Sequence, residues 1–293
     1  MKILVCLKQI NYIYARTGSN PEDEYLAPED RIFRLNPYDE SALELALRLK
    51  SDNHSSNPEI ILITIGDLIA EVELRRCLAL GGDHLYRIDA GTDGADPDPA
   101  MKAELLAKAA LELGAELVLC GKESLDRQNG QVAAYLANYL KRPFVSAAVG
   151  ITMAENRQSL EVTRKGGKGT REIWGCALPA VISVDELGGE TSQATIGTQY
   201  QADQYSIRTL FYQGVGKEPK VRVKRVFAPL PRTKSVPAPD SRENAFDRIE
   251  QLLTGSRIDK TGRMLEGDVF SQVDEIVHFL KENGYIYTPD EGA

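Results

Sequence analysis

Residues 121–132 carry the densest set of side chains able to hold a ligand: Gly121, Lys122, Glu123, Ser124, Leu125, Asp126, Arg127, Gln128, Asn129, Gly130, Gln131 and Val132. Small and polar residues whose backbone N–H groups lead into a helix N-terminus suit a phosphate. Gly130 allows close backbone approach. Gln131 can donate a hydrogen bond to a phosphate or a ribose; Val132 cannot. Each residue also has a plainer role. The segment can be an ordinary connection, Asp126 can cap the helix that follows, and Lys122 can be a solvated lysine. The length of the segment and the cluster Asp126, Gln128, Asn129 and Gln131 favour a nucleotide site. A second set, Asn36-Pro37-Tyr38-Asp39-Glu40, opens another helix, with Asn36 or Asp39 as its cap and a ligand contact as the alternative.

Other chemistry is thinner. Cys6, Cys77, Cys120 and Cys176 are far apart and form no C-x-x-C, so buried thiols in a reducing compartment are expected. The three histidines are isolated. There is no P-loop ending in Lys-Ser/Thr and no acid–base constellation, which argues against an enzyme that activates substrates with ATP. The net charge of −8 argues against a nucleic-acid partner. No apolar run reaches the length of a membrane span. The chain enters a strand-like run, Ile3 to Leu7, without a cleavage pattern. No membrane insertion and a cytoplasmic location are therefore expected.

These residues need a frame. Leu117 to Cys120 is a continuous apolar run, the mark of a strand buried on both faces. Val132, Leu136 and Leu140 then recur at helical spacing. Strands over 2–8, 59–66, 83–89, 115–120 and 144–153 alternate with helices starting near 36, 69, 100 and 132. This pattern predicts an α/β fold with a doubly wound, Rossmann-like parallel sheet, which binds ligands at the carboxyl ends of its strands. Residues 11–30 read as a loop and 31–35 as a short strand. Segments 159–165 and 170–176 flank Gly166-Gly167-Lys168-Gly169 and predict a β-hairpin excursion outside the main sheet. Ala180 to Val184 is a buried strand. Residues 185–205 show little periodicity and should run over the surface. Edge strands are possible over 207–212 and 221–227. Pro229, Pro231, Pro237 and Pro239 mark a linker over 228–240. Helices over 243–253 and 269–283 form a helical C-terminal extension, 241–293, beyond a domain spanning 1–227.

The chain resembles the β subunits of electron transfer flavoproteins from Met1 to about Tyr212. The resemblance rests on Ile3-Leu4-Val5-Cys6-Leu7-Lys8-Gln9, Arg34-Leu35-Asn36-Pro37-Tyr38-Asp39-Glu40, residues 117–132, and Leu178-Pro179-Ala180-Val181-Ile182-Ser183-Val184, in that order and spacing. It implies a heterodimer with an α subunit that holds most of a shared FAD. It also implies a second adenine nucleotide in this subunit. That nucleotide is AMP in conventional members and FAD in electron-bifurcating members, which oxidise NADH. By position, its contacts are Cys6, Asn36, Pro37, Tyr38, Asp39, Ile65, Gly66 and Gly121 to Val132. The chain would then be an electron-carrier subunit rather than a stand-alone enzyme. An acyl-CoA-type dehydrogenase or a quinone-linked oxidoreductase is implied as its redox partner. A regulatory or stress-type nucleotide-binding protein on a related fold is the alternative.

Three departures from the family pattern matter. Val132 replaces a Thr of conventional members, and Gln131-Val132 is closer to bifurcating ones. Residues 94–99 lack the Thr-rich sequence of bifurcating members. The recognition loop has Thr195, Ile196 and Gly197 where many members have a Leu-Pro pair and a basic run. Ile196 is expected to be its exposed apolar anchor. Trp174 and Ile173, on the hairpin, are candidates for the α-subunit interface.

Overall fold

The computed structural model describes residues 1–13, 31–52, 57–66, 68–90, 97–188, 192–212, 221, 244–254, 265, 267–282 and 285. In chain order the elements are β1 (Lys2–Leu7), β2 (Gln9–Ile13), β3 (Arg31–Leu35), α1 (Pro37–Asp52), β4 (Glu59–Ile65), α2 (Glu71–Ala79), β5 (His84–Asp89), α3 (Pro99–Glu112) and β6 (Leu117–Gly121). They continue with α4 (Val132–Leu140), β7 (Phe144–Met153), β8 (Ser159–Lys165), β9 (Arg171–Ala177), β10 (Ala180–Val184), α5 (Ile196–Asp203), β11 (Arg208–Phe211), α6 (Ala245–Thr254) and α7 (Val269–Glu282). The chain divides into two units, Met1–Pro229 and Leu230–Ala293.

In the first unit, β1, β4, β6 and β10 are mostly apolar and form the middle of a nine-stranded sheet ordered β11-β5-β4-β1-β6-β10-β7-β8-β9. From β11 to β7 all neighbours are parallel. Alternate residues of one strand point to opposite faces. Ile3, Val5 and Leu7 therefore pack with α1 and α2 on one face. Leu4 and Cys6 pack with α3 and α4 on the other. Helices on both faces make the sheet doubly wound, as the alternation of elements predicts.

Three expectations are corrected. The segment after β1 does not pass directly into a loop: β2 pairs antiparallel with β3 as a separate ribbon. The hairpin β8–β9 is not an excursion outside the sheet. The ten-residue β7 pairs parallel with β10 through its first half and antiparallel with β8 through its second, so the hairpin extends the main sheet to its edge. Residues 185–205 are not wholly irregular, since they contain α5. Its signal was Thr195, whose side chain accepts from the Thr198 N–H while the Thr198 hydroxyl accepts from the Thr195 N–H. Strand 207–212 is present as β11. The expected linker, 228–240, and nearly all of 221–227 lie outside the described residues. In the second unit, α6 exposes Phe246 and Ile249, and α7 exposes Val273 and Ile276.

Candidate functional site

Strands β4, β1 and β6 lie side by side and parallel, so their carboxyl ends share one rim of the sheet. A cleft of about 420 Å³ opens there. Ligand sites of open α/β sheets lie at such rims. Its floor includes Cys6 and Cys120, which face each other in register across β1 and β6. A hydrogen bond with Cys120, reinforced by burial, pushes the Cys6 thiol well up, which keeps it protonated.

The rim is held together by Asp39, in the first turn of α1. Its carboxylate oxygens accept from the Lys8 N–H at 2.9 Å and the Gly121 N–H at 2.8 Å. It thereby ties the exits of β1 and β6 to one another. Burial pushes the Asp39 carboxyl up to about 7, against the opposing pull of the Asn36 amide and of these two N–H groups. A side chain at 121 would meet Asp39 and Tyr38, so glycine is required by close approach. Asn36 is buried. Its amide donates to Glu123 O at 2.8 Å and accepts from the Leu125 N–H at 3.3 Å. Both expected helix caps therefore bind the neighbouring loop with their side chains.

The 121–132 segment folds over the cleft. Gln128 and Gly130 both have positive φ, 50° and 60°, which turns the chain back on itself within three residues. Lys122 N donates to Val184 O at 2.7 Å, and its ammonium lies 3.8 Å from Asp185. Asp126, expected as a helix cap, instead pairs with the Lys8 ammonium at 2.7 Å, and Lys8 also reaches Ser124 Oγ at 3.2 Å. This leaves α4 without a side-chain cap at Gln131. Its first turn opens at the cleft, where Val132 and Ala133 form part of the wall. A helix start carries partial positive charge and unpaired N–H groups, so the arrangement can hold an anion.

Of the residues singled out from the sequence, Cys6, Asn36, Asp39, Ile65, Gly121, Lys122, Glu123, Ser124, Asp126, Arg127, Asn129, Gly130, Gln131 and Val132 line this cleft together. Five others stand behind it. Pro37 begins α1 and accepts from the Ser41 hydroxyl. Tyr38 reaches Glu123 at 3.4 Å. Gly66 bonds to Ile88 and Arg87. Leu125 binds Asn36 through its N–H, and Gln128 donates its N–H to Ser124 O at 2.8 Å. Sequence reasoning missed Lys8, Gln9, Phe33 and Lys102 as lining residues. Lys8 had a readable signal, since it is a cation placed where a central apolar strand ends.

The expected partner residues lie elsewhere. Thr195 caps α5, and Ile196 and Gly197 form its first turn. Ile196 is 92% exposed. Trp174 and Ile173 are exposed on the edge strand β9, where Arg164 stacks over the indole 5.9 Å from its centroid. Among the described residues there is no cluster of His, Cys, Asp and Glu suited to a metal ion. No helix among them is long and apolar enough to cross a membrane.

Comparison with known proteins adds a family. The model described as "Electron transfer flavoprotein domain" matches residues 27–198. The chain is 27% identical to the caffeyl-CoA reductase-Etf complex subunit CarD of Acetobacterium woodii, over 75% of this chain and 82% of the relative. It is 28% identical to Protein FixA of Azotobacter vinelandii, over 80% and 86%. It is 26% identical to the human electron transfer flavoprotein subunit beta, over 86% and 98%.

Proposed function

Because the chain belongs to the electron transfer flavoprotein family, we propose that it is the β subunit of a heterodimer with an α subunit and holds an adenine nucleotide in the rim cleft. The observation that carries this reading is the open first turn of α4 in a cleft lined by the 121–132 segment. Its volume of about 420 Å³ falls within the roughly 300–1,000 Å³ of small-molecule sites.

The residues fit such a ligand. The N–H groups at the start of α4 face the side a phosphate would take. Gly130 keeps the backbone approachable. Asn36 and Asp39 fix the loop, and Lys8 with Asp126 and Ser124 forms a polar wall. Val132 brings no hydroxyl to the first turn, which removes a contact that would favour AMP and supports FAD as the nucleotide here. A bound flavin supplies the one- and two-electron chemistry. The chain's own part is to bind, orient and present. Ile196 at the exposed start of α5 is the point at which a redox partner, an acyl-CoA-type dehydrogenase in our reading, docks.

Denaturing the purified heterodimer and identifying the released nucleotides tests this. Two FAD per heterodimer is the expected result. One FAD with one AMP would overturn the flavin assignment and leave the adenine-nucleotide site. No adenine nucleotide beyond a single FAD would overturn the site itself.

A further inference from the structure

We propose that Arg75 and Glu44 are positioning residues that hold α5 in the pose from which Ile196 meets the redox partner; this rests on the docking role given to Ile196 above. Helix α5 has eight residues and buries only Ala202. A helix of that length has little stability of its own. Yet it displays two large apolar side chains at i and i+4 on one face, Ile196 at 92% exposure and Tyr200 at 68%. Some other restraint must set their direction.

The structure supplies it at both ends. The last carbonyls of a helix lack intrahelical donors and favour a cation. Arg75, on α2, places Nη1 2.7 Å from Ala202 O, 3.0 Å from Asp203 O and 2.8 Å from Tyr205 O. A single guanidinium nitrogen thus closes the end of α5. Ahead of α5, Glu44 on α1 accepts from Ser192 N at 3.1 Å and Ser192 Oγ at 2.8 Å, and Arg48 Nε holds the same carboxylate at 2.9 Å. The segment 192–205 is therefore tied by charge-assisted hydrogen bonds to two helices that pack on the sheet, in addition to the limited apolar contact of Ala202 and Tyr205 with the core. Such bonds fix direction as well as distance.

The test uses the α/β complex with its flavin, reduced by an acyl-CoA dehydrogenase and its acyl-CoA, together with hydrogen–deuterium exchange over residues 196–203. Arg75→Ala should speed exchange of the α5 amides. It should also raise KM for the complex about tenfold, the factor that about 1.4 kcal/mol represents, with kcat and flavin content unchanged. Arg75→Lys, which keeps the charge but not the fork, should recover part of both effects. Glu44→Gln should act in the same direction. Combined with Ile196→Ala, Arg75→Ala should add little, because both changes remove one contact. Full additivity, or exchange and KM unchanged in Arg75→Ala and Glu44→Gln, overturns the positioning role. If Ile196→Ala raises KM while those two variants do not, only the positioning role fails. If Ile196→Ala itself leaves KM unchanged, the docking reading fails first.

Discussion

Replacing Asp39 by asparagine should change how the stability of this protein depends on pH, and the size of the change can be worked from the site. In the folded chain the carboxyl is buried and its value rises from 3.8 to about 7. That rise corresponds to roughly 4 kcal/mol against the charged form, at about 1.36 kcal/mol per pH unit. Because the folded value lies above the unfolded one, the stability linked to this group is fully present below about pH 4. It is lost as pH rises through about 7. Between pH 5 and pH 8 the loss amounts to about 2–3 kcal/mol. The amide of the Asp39→Asn variant does not titrate, so the substitution removes that slope. It also costs something of its own: the Lys8 and Gly121 N–H groups each use a different Asp39 oxygen, and the amide keeps only one of these, its NH₂ being a donor; one buried donor left unpaired costs about 1–3 kcal/mol. Urea unfolding of wild type and Asp39→Asn at a series of pH values measures the difference. The variant should be the less stable at pH 5, and the gap should narrow by about 2–3 kcal/mol on going to pH 8. A gap that is constant, or that widens with pH, would refute the claim that the fold suppresses this charge.

Three further outcomes are expected. Gly121→Ala places a methyl group 2.8 Å from Tyr38 Cβ and against the Asp39 carboxylate, so it should destabilise by about 1–3 kcal/mol in the same urea assay; an unchanged midpoint would mean that the rim can yield. Lys8→Met removes a partly exposed pair with Asp126 and should alter stability by only about 1 kcal/mol, yet reduce the nucleotide that co-purifies, as read from the absorbance of the released fraction. Unaltered nucleotide content would leave Lys8 a purely structural residue. Val132→Thr adds a hydroxyl to the first turn of α4 and should tighten AMP by about 1 kcal/mol, measured by calorimetric titration; weaker binding would show that the phosphate does not meet this turn.

The legible parts of the sequence were those in which local pattern and burial agree. Leu117 to Cys120 and Ile3 to Leu7 are uniformly apolar and proved to be adjacent central strands. The loops at their ends converge because parallel neighbours share a rim. The hairpin was legible as a hairpin from its four-residue Gly-rich turn, but its attachment was not. Nothing local in Phe144–Met153 says that one strand pairs parallel on one side and antiparallel on the other. Helix α5 escaped notice because it is only eight residues long and its two large apolar residues, Ile196 and Tyr200, face outward while Ala202 alone is buried, so there is too little periodicity to read. The partners of Asn36 and Asp126 were also out of reach. Each was read as a cap for its own neighbourhood, while the structure joins them to residues 87 and 118 positions away.

Helix α1 explains why the cleft and α5 belong to one body. Its first turn carries Asp39, preceded by Asn36, and these bind Gly121 and Glu123 of the cleft and the backbone of Leu125. Barely a turn later, Ser41 accepts the Leu187 N–H at 3.1 Å and Glu44 accepts Ser192. Ala42, Leu45, Ala46 and Leu49, between and beyond these residues, are buried against the sheet. That burial keeps the helix from rotating about its axis, since rotation would expose an apolar stripe at roughly 25 cal/mol per Å². A helix that cannot rotate fixes the angle between the residues it sends to the cleft and those it sends to Leu187 and Ser192. The same rigid element thus ties down both the 121–132 segment and the residues that lead into α5, which is what the positioning role proposed for Glu44 requires. Side chains at 41 and 44 are buried polar groups for that reason, although their positions on an amphipathic helix would otherwise suit alanine or leucine.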